Sequence, residues 1–217
     1  MFQGAEVALD CLSNMMEYSS TMGDDGGRDL NDRIARRVRE VRAARGLSLE
    51  ALASRCGVSR SMISVIERGE SSPTAVLLER LAAGLGVPLA SLFDAPGPVA
   101  EPVARAGDQP QWRDPSSGYV RRNVSPASFA SPIQIVEVTF PAGAHVAFDT
   151  GARERRVHQQ VWVLDGCIEV TVGDARHRLR AGDCLALVLD RPTAYHNPTR
   201  KPARYAVVIT TDPEART

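Results

Sequence analysis

Leu47–Gly69 reads LSLEALASRCGVSRSMISVIERG, two short runs of apolar residues at helical spacing separated by Cys56-Gly57-Val58. Ser48 precedes the first run, where its hydroxyl can accept hydrogen bonds from the otherwise unpaired amides of a helix N-terminus. Leu49, Leu52 and Ala53 then share one helical face, and Glu50 lies in the first turn, where the positive end of the helix dipole favours it. Gly57 supplies the left-handed backbone that ends a helix, and Val58 is the apolar pin beyond it. Ser59 caps a second helix whose apolar positions are Met62, Ile63, Val65 and Ile66. The opposite face carries Arg60, Ser61, Ser64 and Arg68, groups suited to phosphates and base edges.

On either side, an Arg-rich helix is expected over Ile34–Arg45 and another over Thr74–Leu85. Ile34, Val38 and Val41 should pack inward, leaving Arg33, Arg36, Arg37, Arg39 and Arg42 to water or phosphate. Pro73 opens the later helix where no amide donor is needed. The pattern L-S-x-E-x-L-A-x-x-x-G-V-S-x-S-x-I-S-x-I-E-R-G resembles the helix-turn-helix of the phage-repressor/Cro (XRE) family. That resemblance implies a transcriptional regulator reading double-stranded DNA. Arg60 would take a guanine edge, with Ser61 and Ser64 beside it, while Arg45, Arg68, Ser72 and Thr74 would meet phosphates. A homodimer would place two such units in successive major grooves about 34 Å apart, on an inverted-repeat operator. Related repressors often carry Gln where this chain has Leu49, so no clamp is expected there.

Charge is distributed to suit this reading. The whole chain of 217 residues is formally neutral, yet residues 28–92 hold eleven Arg against seven acids, a net of +4. Residues 1–27 hold five acids and no base. The basic segment therefore coincides with the helix-turn-helix, as a phosphate-binding surface requires. Four scattered cysteines without a C-x-x-C pair fit reduced thiols. No run is apolar enough to span a membrane and no signal peptide is evident, so a cytoplasmic location is expected.

Composition shifts at Asp94, and the Pro- and Gly-rich residues 94–110 read as a semi-rigid linker. Beyond it come strand candidates at Gly118–Val124, Ile133–Phe140, Gln160–Leu164, Cys167–Val172, Arg176–Arg180, Cys184–Leu189, Thr193–His196 and Tyr205–Thr210. Asp165-Gly166 and Gly173-Asp174 are hairpin signals. Pro141-Ala142-Gly143, Val161–Gly166, Leu179–Asp183 and Thr193–Pro198 resemble the two motifs of the cupin family. The expected fold is thus a two-domain chain: an all-α helix-turn-helix bundle (28–93, motif 49–68) and an all-β cupin (jelly-roll) barrel (111–217) for sensing or dimerisation. Residues 1–27 are expected to be a disordered extension.

Metal-binding cupins place two His and a Glu in the first motif and another His in the second. Here the glutamate position falls on Gln159, the first histidine pair on Arg153 and Arg155 or on Ala152 and Glu154, and the last histidine on Thr193. The expected site therefore holds no metal ligand set, and no cofactor is implied. His145, His158 and His196 are the residues an unorthodox metal site would draw on, although alternation turns His158 and His196 from the ligand positions. The inward positions Gln159, Val161, Val163, Thr193, Tyr195 and Asn197 make a small-molecule effector pocket, polar groups on apolar walls. No acid/base pair or activated nucleophile is present, so no catalytic residue is expected. Two other readings compete: a metal-dependent cupin enzyme carrying a DNA-binding domain, and a barrel that serves only as a dimerisation scaffold.

Overall fold

A computed structural model describes residues 25–93, 101–127, 129, 131–149 and 156–211. The expected disordered extension lies outside the described residues up to position 24, as do residues 94–100 of the expected linker and Arg153, Glu154 and Arg155. Four α-helices come first among the described residues: α1 (Asp25–Ala44), α2 (Leu49–Cys56), α3 (Arg60–Glu67) and α4 (Ala75–Leu85), with a 3-10 turn at Leu89–Leu92. The caps of α2 and α3 are as read, but α4 is corrected: Thr74, expected as a phosphate contact, is its cap, and Pro73 precedes the helix instead of opening it. Ser48 Oγ accepts from the Ala51 amide, Ser59 Oγ from Met62 and Thr74 Oγ1 from Leu77. Gly57 closes α2 at φ 64°, returning its own amide to the Ala53 carbonyl.

The helices bury Ile34, Val38, Leu52, Ile63, Ile66, Leu78, Leu81 and Leu85 in one core. α2 and α4 touch most closely at Gly84, where a Cβ would come within 2.7 Å of Cys56 Cβ and 3.2 Å of its amide nitrogen. Only glycine permits that approach.

The expectation that the α1 arginines all face solvent is corrected. Arg42 reaches across the bundle to Glu67 at the end of α3, Nε to Oε1 at 2.6 Å and Nη2 to Oε2 at 2.8 Å, and donates Nη1 to the Leu47 carbonyl at 2.8 Å. The Glu67 side chain is only 6% exposed, so this two-pronged pair is screened from water and removing one partner would strand a charge. Arg33 and Arg37 donate to the carbonyls of Phe93 and Ser91. The outward positions on α1 were taken up by long-range partners that helical periodicity does not reveal.

The second half is two antiparallel sheets. One has the order β1-β2-β3-β10-β5-β8 and the other β4-β9-β6-β7. The strands are β1 (Gln111–Arg113), β2 (Val120–Asn123), β3 (Ile133–Phe140), β4 (His145–Phe148), β5 (Val157–Asp165), β6 (Cys167–Val172), β7 (Ala175–Arg180), β8 (Cys184–Val188), β9 (Thr193–His196) and β10 (Ala203–Thr211). β1 and β4 were not anticipated. The sheets close face to face through Val136, Val138, Phe140, Val161, Val163, Tyr205 and Val207 on one side and Ile168, Val170 and Tyr195 on the other. The chain therefore has the expected fold, a helix-turn-helix bundle followed by a cupin-type β-barrel.

Gly84→Ala tests the close approach of α2 and α4. In a solvent-exposed helix this exchange stabilises by up to about 1 kcal/mol. Here the added methyl meets the backbone of Cys56, so the expected sign reverses to a loss of about 1–3 kcal/mol. Urea denaturation followed by circular dichroism reads the sign directly; a stabilised variant would show that the helices can part without cost.

Candidate nucleic-acid interface and barrel interior

α3 presents Arg60 and Ser61 at its exposed N-terminus, one residue after its cap. Ser61 Oγ lies 3.1 Å from the capping Ser59 Oγ, while Arg60 has no hydrogen bond or ion pair among the described residues. Ser64 follows on the next turn and accepts from Arg68 Nη1 at 2.5 Å. Arg68 also makes a two-pronged pair with Glu70, 2.7 Å on each arm. Both members are about half exposed, so water screens that pair and a phosphate can compete for the guanidinium. Ser72 Oγ accepts from Asn31 on α1 at 2.5 Å, and Thr74 is occupied in capping α4. Arg45 Nη2 donates to the Gly86 carbonyl at the end of α4, 3.1 Å away. Arg60, Ser61, Ser64 and Arg68 thus lie together along α3, Ser72 and Thr74 in the loop that follows, and Arg45 at the far end of α1.

In the barrel, Val161 and Val163 are fully enclosed and Thr193 and Tyr195 nearly so. Tyr195 donates its hydroxyl to Gln159 Oε1 at 3.3 Å, and its ring stacks on Tyr205 with centroids 5.9 Å apart and planes 6° from parallel. These five residues face one interior. Asn197 is fully buried but committed elsewhere. Its Nδ2 is directed at the carbonyls of Phe140, Pro141 and Lys201, and its Oδ1 accepts from Thr199. The amide is a buttress for the turns at that end of the barrel and has no donor left to offer a ligand.

His145 and His196 pair across β4 and β9, on the face opposite Tyr195, and His196 Nδ1 is 3.3 Å from Glu169 Oε2. Arg176 first, and then His196, hold the Glu169 carboxyl below the usual carboxylate range. Among the described residues no three His, Cys, Asp or Glu converge as a metal ion needs.

The structure adds residues that sequence reading missed, at the seam between bundle and barrel. Asp114, 2% exposed, accepts the Ala75 amide at the start of α4 through Oδ1 (2.9 Å) and Ser117 through Oδ2. Beside it the rings of Phe93, Trp112, Tyr119, Phe140, Tyr205 and Tyr195 follow one another at centroid distances of 5.8–6.2 Å. Arg121 on β2 is buried here, its guanidinium 5.5 Å from the Phe93 ring centroid. Alternation in V-R-R-N would have buried Val120; the register that sets Arg121 against Trp112 and Val138 buries Arg121 and Asn123 instead.

Residues 38–92 match the helix-turn-helix family profile HTH_3. The chain is 28% identical over 161 residues to the HTH-type transcriptional regulator SutR of Escherichia coli, covering 74% of this chain and 84% of that one. Over 49 residues it is 45% identical to an uncharacterized HTH-type transcriptional regulator of Methanothermobacter thermautotrophicus, 23% of this chain and 71% of that protein. The crystal structure of an HTH_3 family transcriptional regulator from Vibrio cholerae superposes with a TM-score of 0.71 at 26% identity, over 86% of this chain and 99% of that one.

Burial pushes the hydroxyls of Tyr119, Tyr195 and Tyr205 well above the ordinary tyrosine range. A folded-state value above the unfolded one means stability that is intact below pH about 10 and lost as pH rises past it. Absorbance at the tyrosinate band should therefore rise mainly together with loss of the far-ultraviolet dichroism, since these are three of the four tyrosines. Ionisation of three tyrosines in the intact fold would contradict their placement.

Proposed function

The chain belongs to the helix-turn-helix transcriptional regulators of the XRE type, and we propose that it acts as a homodimeric, sequence-specific regulator whose barrel takes a small-molecule effector. The observation that carries the DNA half is Arg60. It stands at the exposed start of the second helix of the motif, with no hydrogen bond or ion pair among the described residues, and Ser61 and Ser64 continue along the same helix. A guanidinium so placed can take both acceptors on a guanine edge in the major groove. Arg68, Ser72, Thr74 and Arg45 are read as the phosphate contacts, Arg68 exchanging its screened intramolecular carboxylate for a phosphate. The buried Arg42–Glu67 pair fixes the end of α3, so the reading residues are held on a rigid element.

The effector half rests on Gln159, Tyr195 and Thr193 among the apolar walls of Val161 and Val163, an interior with hydrogen-bonding groups and no catalytic set. We read the protein as a non-enzyme for that reason. An exposed apolar strip on the outer face of the six-stranded sheet, Ile133, Ile135 and Trp162, supports a dimer formed by a second copy.

Arg60→Ala, measured by binding to an operator fragment and to random duplex at fixed salt, should cost about 1–3 kcal/mol on the operator and little on random DNA. Equal losses on both would make Arg60 a phosphate contact and overturn its reading role.

A further inference from the structure

Among the described residues, Arg121 is a buried charged group whose chemistry the roles above leave unused. It is 7% exposed, and its neighbours across the inner face of the sheet are Trp112, Val138 and then Tyr205, which pairs with both Val138 and Val163. That row runs straight into the interior lined by Tyr195 and Gln159, since Tyr205 stacks on Tyr195. The guanidinium gives Nε to Asn123 Oδ1 at 3.2 Å and lies against the Phe93 ring, but Nη2 is enclosed with no hydrogen-bond partner among the described residues. Burial holds the guanidinium below its usual pKa, opposed only in part by Glu79 on α4, and the tyrosines around it stay neutral. Burying a guanidinium is costly unless its donors are met. An unmet donor on a fork that matches a carboxylate is a binding site for an anion, whose oxygens would accept from it.

From the enclosed Nη2 of Arg121 on the row that enters the tyrosine-lined interior, we propose that the barrel effector is a carboxylate, its anionic head paired with Arg121 and its body packed against Tyr195 and Tyr205. The inference rests on the effector reading above and names the chemical class of the ligand. It also places the ligand charge at the seam with the helices, because Arg121 packs on Phe93, whose carbonyl takes Arg33 of α1.

The test uses the full chain and matched probes: propionate, benzoate and phenylacetate, each with its amide and its amine. Thermal denaturation and titration calorimetry read binding. At least one carboxylate should raise the Tm and bind at least about tenfold more tightly than its own amide and amine. Arg121→Met should abolish that preference, and Arg121→Lys, which keeps the charge but not the fork, should weaken it. The comparison of carboxylate with amide in the unmodified protein stands even where the Met variant fails to fold. Amides or amines binding as well as the acids, or an undiminished preference in a folded Arg121 variant, would overturn the carboxylate assignment while leaving an effector site in place. No binding by any of the nine compounds would overturn both this assignment and the effector reading.

Discussion

The Asp114 carboxylate is shared between two folding units. One oxygen holds the first amide of α4, and the other holds Ser117 in the turn that joins β1 to β2. A buried carboxylate on two sets of donors is a strong and geometrically demanding contact, and moving either unit alone would leave it unsatisfied. The aromatic series from Phe93 to Tyr195 and the cation–π contact of Arg121 surround it with apolar mass. One continuous cluster of buried residues therefore runs from Ile34 in the bundle to Val163 in the barrel. The seam is direct packing, and the segment 94–110 need not carry the connection by itself.

On the proposed function, this constraint sets the route by which a ligand in the barrel would act on DNA binding. An effector acts only through a difference in its affinity for two arrangements of the molecule. Tyr195 and Tyr205 belong to the interior and also to the aromatic series that ends on Phe93, and the same seam holds the first turn of α4. The loop before that turn carries Ser72 and Thr74. A ligand that preferred one packing of these rings would thereby bias the loop proposed to meet DNA, through contacts of a few ångströms at each step. Packed interiors shift between discrete arrangements rather than deforming smoothly, which is what makes such a route capable of switching.

How much of this could be read in the sequence follows from the range of each interaction. Ser48, Gly57 and Ser59 act on amides or backbone within a few residues, and each sits where the sequence placed it. β3 and β6 came out at their expected bounds because period-two alternation is local as well. β1, three residues long and directly after Pro110, and β4, four residues long, carry too little pattern to stand out. Arg42 looked like one more charge on a solvated face because its partner Glu67 lies 25 residues away. Asn197 was read as a pocket group, but its amide is committed to the Phe140 and Pro141 carbonyls some 56 residues earlier, a partnership that local pattern does not show. Arg121 escaped notice because the pairing of β2 with both β1 and β3, rather than hydropathy, sets which side of the strand faces in.

Helical bundle and barrel form one cooperative body joined at the seam. Trp112 lies in that seam, and the only other tryptophan, Trp162, is half exposed on the outer sheet face. With Trp162→Phe in place, urea denaturation can be followed at once by Trp112 emission and by the helical dichroism. A single seam-linked body requires the two signals to change with the same midpoint and slope. Trp112 becoming solvated at a lower urea concentration than the helices melt would contradict it, since the halves would then part before either unfolds.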